Sequence, residues 1–184
     1  MHGVCPWWLG YFLISPLRRL RHNPIAIVGP YVREGRTVLE PGPGMGFFTL
    51  ELARRVGPRG RVVTVDVQTR MLDRLKRRAA KAGLSERIDA RLVSGDSLSV
   101  GDLREQVDFT LAFAVIHELP DIWHFFQEVA EAAKPGSLML VAEPKGHVKE
   151  PQFDTELHLA QDAGFEVVDH PEIHGSFAAL LKKG

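Results

Sequence analysis

The chain has 184 residues and a formal net charge of zero, with 45% hydrophobic and 25% charged residues, which is ordinary for one globular domain. This composition excludes the disordered and fibrous classes, and the balance of 23 basic and 23 acidic residues gives no general attraction to nucleic acids or anionic membranes. The single cysteine, Cys5, excludes an intramolecular disulfide and a four-cysteine zinc site, so we expect a protein of the reducing cytoplasm.

The N-terminal segment contains an apolar run from Val4 to Ile14, with the sequence VCPWWLGYFLI. This run is shorter than the ~20 residues that cross a bilayer, and no basic residues precede it as they do in a signal peptide. We therefore predict that residues 1–32 form a helical cap or lid on a domain of residues 33–184. A membrane-surface anchor is the alternative for this segment, whereas stable insertion into a membrane is not expected.

The rest of the chain alternates between strand patterns and helix patterns. In chain order the predicted elements are strand TVLE, helix FFTLELARRV, strand RVVTVD, helix TRMLDRLKRRAAKAG, strands IDARLVSGD and VDFTLAFAVI, helix DIWHFFQEVAEAA, strand SLMLVAEP, helix QFDTELHLAQDAG, and strands FEVVDHPEI and SFAALLKK. Asp121 can cap the third helix, and Pro135-Gly136 is a predicted turn before the fifth strand. Strands separated by helices predict an α/β fold, a parallel sheet covered on both faces, and the last two strands predict an antiparallel hairpin.

Three glycines, Gly42, Gly44 and Gly46, lie between the first strand and the first helix. Bare backbone at the carboxyl end of a strand lets a ligand approach closely, and the helix that follows offers unpaired N–H groups. A tight turn without a ligand is the alternative. The spacing GxGxG differs from the GxGxxG of dinucleotide-binding proteins, because Phe47 occupies the last glycine position. Glu40 would also repel a pyrophosphate and attract a cation.

Acidic residues end three consecutive predicted strands: Glu40, Asp66 and Asp96. Glu40 suits an ammonium group, Asp66 suits a ribose diol, and Asp96 suits the amino group of a purine. S-adenosylmethionine carries all three groups. The alternatives are that Asp66 caps the next helix and that Asp96 forms a local turn or cap.

The ordered set LEPGPGMGFFT, VVTVD, SGDS, AVIHELPD and AAKPGSLMLVAEP resembles the class I S-adenosylmethionine-dependent methyltransferases. The resemblance extends from about Arg33 to the C-terminus, and it is closest to the small-molecule group that includes ubiquinone/menaquinone C-methylases and arsenite methyltransferases. It implies a Rossmann-like three-layer sandwich around a seven-stranded, mostly parallel sheet of order 3-2-1-4-5-7-6 with strand 7 antiparallel. It also implies S-adenosyl-L-methionine as cofactor.

The resemblance assigns the cofactor-binding residues position by position. Glu40, Gly42, Gly44 and Gly46 would surround the methionine moiety, and Asp66 would hold the ribose. Residues flanking or contacting the adenine, and residues near the sulfonium, would be Val67, Gln68, Asp96, Ser97, Phe113 and Ala114.

The candidate catalytic residues are His117 and Glu118, directly after the fourth predicted strand. His117 is a candidate general base and Glu118 would orient it. The alternative is that the pair shapes the floor of the pocket and caps the next helix. Further candidate substrate contacts are Cys5, Trp7, Trp8, Tyr11 and Lys145.

The predicted acceptor is a small molecule rather than a nucleic acid, because the net charge is zero and the fourth strand lacks the Asn/Asp-Pro-Pro-aromatic tetrad of exocyclic-amine nucleic-acid methylases. One cysteine does not suffice for a metalloid acceptor, and no metal site is expected, because the spacings of His147, His158, His170 and His174 match no zinc signature. The sequence leaves the oligomeric state open, with a homodimer as one alternative. Two other function classes remain, a nicotinamide-dependent oxidoreductase and a non-catalytic module that binds S-adenosylmethionine.

Overall fold

The computed structural model of the chain describes residues 22–94 and 97–184. The strands in this part of the chain are β1 (Thr37–Pro41), β2 (Arg61–Asp66), β3 (Ile88–Leu92), β4 (Val107–Phe113), β5 (Ala133–Pro144), β6 (Phe165–Asp169) and β7 (Ser176–Lys183). The α-helices are α1 (Pro24–Val28), α2 (Thr49–Val56), α3 (Thr69–Lys81), α4 (Ile122–Ala132) and α5 (Glu150–Asp162).

The strands of these described residues pair into one sheet in the order β3-β2-β1-β4-β5-β7-β6. Strands β1 to β5 pair in parallel, and β7 runs antiparallel to both β5 and β6. The predicted α/β class, the strand order and the antiparallel strand are therefore confirmed. The chain order reverses direction in the sheet between β1 and β4, which is where doubly wound sheets open a crevice at the carboxyl ends of their strands.

Apolar residues cover both faces of the sheet, as the alternation along the strands requires. Val38 and Val62 join one buried cluster with α1, α2 and Ala79 of α3. Their neighbours Leu39 and Val63 join a second cluster with α4 and α5. The layers are therefore helix, sheet and helix, as predicted.

The first described residues pack against this domain. Val28 and Val32 are buried in the cluster that contains α2, and Asn23 caps α1 by accepting a hydrogen bond from the Ile25 N–H. These contacts concern the end of the predicted cap, residues 1–32. Residues 1–21 lie outside the described part of the chain, so the cap itself stays a prediction.

Two predicted strand boundaries are wrong. The fourth strand ends at Phe113 instead of Ile116, and Ile116–Glu118 form a 3-10 turn. The fifth strand begins at Ala133 instead of Ser137, with Pro135 and Gly136 inside it. The register against β4 shifts between Val107 and Phe109, so the proline and glycine lie in an irregular stretch of the ladder.

Further predicted boundaries are wrong by two to four residues. The first predicted helix begins at Thr49 rather than Phe47, the third strand ends at Leu92, and the sixth ends at Asp169. Asp121 caps α4 as predicted, because its Oδ1 accepts a hydrogen bond of 2.9 Å from the His124 N–H.

The amino ends of three strands are held together by one carboxylate, that of Asp108. It accepts hydrogen bonds from the Thr37 N–H at 2.8 Å, from Arg36 at 2.8 Å and from Lys134 at 2.6 Å. Burial alone would raise the pKa of Asp108, but these three bonds outweigh it and hold the pKa below its usual value. Asp108 therefore stabilises the junction of β1, β4 and β5 as an anion.

We expect Asp108→Asn to lower the free energy of unfolding by about 1–3 kcal/mol at pH 7, because charged hydrogen bonds are lost. A lowered pKa in the folded state stabilises the protein above the unfolded pKa, and this contribution disappears as the pH falls through the folded value. Urea melts from pH 7 to pH 3 should therefore show the two proteins converging in acid. Asp162→Asn, at an exposed position in α5, is the control and should not differ from the wild type by this amount.

Candidate active site

The glycine loop follows β1 at the carboxyl edge of the sheet. Gly42 and Gly44 have φ angles of +66° and +54°, a region that L-residues rarely adopt. A Cβ atom on Gly42 would lie 2.7 Å from Cγ2 of Val115, so the loop packs tightly against the turn after β4. A Cβ on Gly44 would meet no atom within 4 Å. The loop thus leaves its backbone open at Gly44, as a closely approaching ligand requires.

Asp66 ends β2 beside this loop and is 9% exposed. Its Oδ1 accepts a hydrogen bond of 2.8 Å from the Gln68 N–H. Burial raises the pKa of Asp66 to about 6, and the charge of Glu118 adds to the rise. Hydrogen bonds from the N–H groups of Gln68, Gly44 and Val67 lower the pKa and partly offset this rise. The alternative that Asp66 is the N-cap of α3 is wrong, because Gln68 holds that position.

Two exposed apolar side chains lie next to Asp66. Val67 is 48% exposed and Leu92 is 58% exposed, and Leu92 pairs with Asp66 across β2 and β3. An exposed apolar surface beside a buried carboxylate suits the flat, apolar face of a purine next to a ribose. Gln68 is half-buried at the same strand end.

Two residues, Asp96 and Ser97, were predicted to contact the adenine from the end of the third strand. Asp96 lies outside the described residues. Ser97 is described, and its hydroxyl donates a hydrogen bond of 2.7 Å to Glu128 and accepts one of 2.9 Å from the Ser99 N–H. These bonds anchor the loop to α4, and the contact of Ser97 with the adenine stays a prediction.

The remaining predicted cofactor residues lie at the carboxyl ends of β1 and β4. Glu40 is 3% exposed, and Gly46 has a φ of +82° within the loop. The ring of Phe113 contacts the rings of Phe48 and His22, with centroid separations of 4.6 Å and 5.2 Å. Ala114 is a non-glycine residue with a φ of +55°, a strained conformation of the kind found at functional sites.

His117 lies in the turn after β4 and is held by Glu143 at the end of β5. Its Nδ1 donates to Oε2 of Glu143, a fully buried side chain, and Oε1 of Glu143 accepts from the N–H groups of Val115 at 3.1 Å and Ile116 at 2.9 Å. The hydrogen bond with Glu143 raises the pKa of His117 above its usual value, against the effect of burial. Because Nδ1 carries the proton, Nε2 is the nitrogen that can accept one.

Glu118 was predicted to orient His117, but Glu143 makes the close contact instead. The Oε1 atom of Glu118 lies 4.0 Å from Nε2 of His117. Its charge also acts on Asp66. The charge of Glu118 therefore acts on both the predicted base and the predicted ribose-binding carboxylate.

Lys145 lies in the turn after β5 and lines a cleft of about 630 Å³. Its Nζ is 5.0 Å from the ring centroid of Phe177, which stacks on Phe153. His147, in the same turn, packs its ring edge-to-face against His117. The turn thus connects the predicted base with the cleft. The other predicted substrate contacts, Cys5, Trp7, Trp8 and Tyr11, lie outside the described residues.

Sequence patterns did not reveal three features of this site. Leu92 was predicted as part of the third strand, and Glu143 as part of the fifth strand. Glu156 was predicted as part of the last helix and was given no role, although its side chain is 1% exposed. Its position three residues after Phe153, on the buried face of the helix, was the available signal.

Two features are absent from the residues that the structure describes. Within that part of the chain, no group of three or more His, Cys, Asp or Glu side chains is arranged to hold a metal ion. No helix there is long and apolar enough to span a membrane.

The sequence matches a family described as a methyltransferase domain over residues 38–136. It is 25% identical over 118 residues to tRNA (adenine(57)-N(1)/adenine(58)-N(1))-methyltransferase TrmI of Methanocaldococcus jannaschii, covering 55% of this chain and 42% of that protein. It is 29% identical over 142 residues to ubiquinone biosynthesis O-methyltransferase of Brucella anthropi, covering 77% of this chain and 53% of that protein. The chain thus spans about half the length of these relatives.

The fold is similar to that of the crystal structure of a SAM-dependent methyltransferase from Aquifex aeolicus, with a TM-score of 0.87. The similarity covers 98% of this chain and all of that one, at 23% sequence identity, and supports the fold alone. The family match covers more than half of the chain and includes the glycine loop, Asp66 and His117. The chain therefore belongs to the methyltransferase-domain family, which confirms the predicted resemblance to class I S-adenosylmethionine-dependent methyltransferases.

Proposed function

We propose that the chain binds S-adenosylmethionine at the carboxyl ends of β1 and β2 and transfers its methyl group to a small-molecule acceptor. The observation that carries this proposal is the position of Glu118. Its charge acts on Asp66 on one side, and its Oε1 lies 4.0 Å from Nε2 of His117 on the other. The predicted cofactor site and the predicted base are therefore neighbours.

The residues at these strand ends fit this cofactor. The open backbone at Gly44 admits close approach, and the carboxylate of Asp66 can accept hydrogen bonds from ribose hydroxyls. Val67 and Leu92 offer apolar surface for the adenine. Glu40, buried directly before the loop, suits the ammonium group of a methionine moiety and opposes a pyrophosphate, which counts against a nicotinamide cofactor.

When bound, S-adenosylmethionine supplies an activated methyl group on a sulfonium. The protein then has to align the acceptor and exclude water. Nε2 of His117 takes the proton of a hydroxyl or amine acceptor, and Glu143 stabilises the resulting imidazolium through Nδ1. Glu143 thus has the role that was predicted for Glu118.

The cleft beside Lys145 is the proposed entry and binding region of the acceptor. It is lined by Lys145, by the stacked pair Phe153 and Phe177, and by His174. The carbonyl oxygen of His174 lies 2.9 Å from Nε2 of His22, the first described residue. The first described residue thus contacts a residue that lines the cleft.

A tRNA acceptor is the second candidate, because one relative is named as a tRNA methyltransferase and because α3 exposes a row of basic side chains. These side chains are Arg70, Arg74, Lys76, Arg77 and Lys81. A basic helix face attracts phosphates, but it is also the ordinary solvated face of a surface helix. The acceptor cleft lies at β5 and β7, on the other side of β1 from α3 and β2. We therefore favour the small molecule.

The first prediction concerns cofactor binding. We expect Asp66→Asn to weaken binding of S-adenosylhomocysteine at least tenfold, about 1.4 kcal/mol, because a charged hydrogen bond to the ribose is lost. In the wild type, affinity should also fall as the pH drops below about 6, where Asp66 becomes protonated, whereas the variant should lack this dependence. Isothermal titration calorimetry from pH 8 to pH 5 measures both effects.

The control for this experiment is Asp73→Asn, at an exposed position in α3, which should bind as the wild type does. NAD serves as the competing ligand and should not bind. Equal affinity of the wild type and Asp66→Asn would remove Asp66 from the site. Binding of NAD without S-adenosylhomocysteine would replace the methyltransferase proposal with an oxidoreductase.

The second prediction concerns the reaction. We expect the wild-type protein, incubated with labelled S-adenosylmethionine and a cell extract, to label a small molecule. His117→Ala should reduce the labelling about 100-fold or more, because a general base is lost, while affinity for S-adenosylhomocysteine changes less than about twofold. Chromatography with and without ribonuclease separates the acceptor classes.

Three outcomes contradict this proposal. Label that moves only with RNA would establish the second candidate. No labelled product of any size would favour a module that binds the cofactor without catalysis. Labelling by His117→Ala at the wild-type rate would assign His117 a structural role.

A further inference from the structure

Two parts of the proposed site meet on His22, a side chain that the proposed reaction does not use. Its Nε2 lies 2.9 Å from the carbonyl oxygen of His174, in the loop between β6 and β7, and His174 lines the acceptor cleft. The ring of His22 packs edge-to-face on Phe113, the last residue of β4, with a centroid separation of 5.2 Å. His22 thus connects the acceptor cleft with a residue predicted to lie near the sulfonium.

The hydrogen bond between His22 and His174 does not depend on the charge of His22. A carbonyl oxygen only accepts hydrogen bonds, so Nε2 carries a proton in the neutral imidazole as well as in the imidazolium. Protonation of His22 therefore leaves the donor in place, and His22 acts as a fixed donor rather than as a pH switch. A different side chain that places an N–H group at the same point can replace it.

The ring contact joins His22 to the glycine loop. The ring of Phe113 also packs on that of Phe48, with centroids 4.6 Å apart, and Phe48 packs edge-to-face on Phe47 at 5.0 Å. Phe47 directly follows Gly46, and the three phenylalanines are at most 9% exposed. A continuous series of rings therefore leads from the glycine loop to His22 and fixes its position relative to the predicted cofactor site.

The loop between β6 and β7 is fastened at two adjacent residues. The carbonyl of His174 accepts from His22, and the carbonyl of Gly175 accepts from the Lys145 N–H at 3.0 Å. Ile173, directly before them, is buried in the same apolar cluster as Phe113. The loop is thus held by the turn after β5 at one residue and by His22 at the next, so loss of the His22 hydrogen bond would remove one of these two contacts.

We propose that His22 is a positioning residue that fastens the loop between β6 and β7 against Phe113 and so closes the acceptor cleft at the end nearest the transferred methyl group. This inference rests on the proposed function, in which the acceptor enters this cleft and the sulfonium lies near Phe113. Reacting atoms have to lie about 3–3.5 Å apart, and a displacement of about 1 Å can cost on the order of 100-fold in rate. A fastened wall therefore acts on the rate of transfer more than on the affinity for the cofactor.

The first test needs neither cofactor nor acceptor and compares two substitutions by NMR measurement of amide hydrogen exchange. His22→Phe keeps a ring on Phe113 and removes the donor, whereas His22→Gln keeps an N–H group at a similar reach and removes the ring. The reporters are the amides of Lys145 and Ser176, whose N–H groups donate to carbonyls of the loop. We expect them to exchange about fivefold faster in His22→Phe and close to the wild-type rate in His22→Gln. His158→Gln, at an exposed position in α5, is the control and should leave both rates unchanged.

The second test measures methyl transfer with labelled S-adenosylmethionine and graded amounts of cell extract. We expect His22→Phe to lower the maximal rate of labelling about tenfold, because the acceptor is less well aligned, while affinity for S-adenosylhomocysteine changes less than about twofold. His22→Gln should keep the maximal rate within about threefold of the wild type, since the donor to His174 is restored. A merely structural role would instead lower the melting temperature and the cofactor affinity together.

The outcomes separate this inference from the proposed function. Unchanged exchange in His22→Phe would overturn the inference, whatever the protein methylates. Faster exchange with an unchanged rate of labelling would also overturn it, because the loop would then not align the acceptor. A wild-type protein that labels no acceptor would contradict the proposed function and the role in alignment, while the exchange rates would still decide whether His22 fastens the loop. Faster exchange and slower labelling in His22→Phe, with neither in His22→Gln, would support both.

Discussion

The active-site side of the protein depends on one buried carboxylate, that of Glu143. Strand β4 ends at Phe113, and the N–H groups of Val115 and Ile116 have no neighbouring strand to pair with. Both donate to Oε1 of Glu143, while Nδ1 of His117 donates to Oε2. Three consecutive residues are thus fixed by one side chain. Because Val115 packs against Gly42, the same carboxylate also sets the position of the glycine loop.

The balance of energies explains why this turn tolerates strain. Ala114 adopts a left-handed conformation, which costs about 1–2 kcal/mol for a residue with a Cβ atom. Its N–H still donates to the carbonyl of Ala142 at 2.8 Å. Each hydrogen bond to a charged group contributes about 1.5–3 kcal/mol, and Glu143 accepts three. The bonds to Glu143 hold the residues that follow the strained position, so the chain turns sharply at Ala114 and His117 lies beside the end of β5.

Local patterns were sufficient for the fold and for naming the candidate residues at the ends of β1 and β2. Strand and helix periodicity, with the family resemblance, predicted the sheet order, and the glycine spacing and strand ends predicted Gly42, Gly44 and Asp66. The pair of His117 with Glu143 was beyond such patterns, because it joins residues 26 positions apart and depends on the register that pairs Phe113 with Ala142. Val115 and Ile116 were predicted to be in a strand because they are apolar. In the structure their N–H groups donate hydrogen bonds to Glu143 instead of to a neighbouring strand. Pro135 and Gly136 were misread as a turn because both usually interrupt strands.

The zero net charge conceals a separation that bears on the acceptor. Residues 22–87 carry 13 basic and 6 acidic residues, whereas residues 88–184 carry 7 and 17. The first group contains β1 and β2, and the second contains β4 to β7 as well as the edge strand β3, so one of the two boundaries between the groups falls between β1 and β4, where the crevice opens. The cleft beside Lys145 belongs to the acidic half, with Glu150, Asp154 and Glu172 in its lining. A polyanion drawn to α3 would meet repulsion there, whereas a small neutral or cationic acceptor would not. The distribution of charge, rather than its sum, is therefore the stronger argument for a small-molecule acceptor.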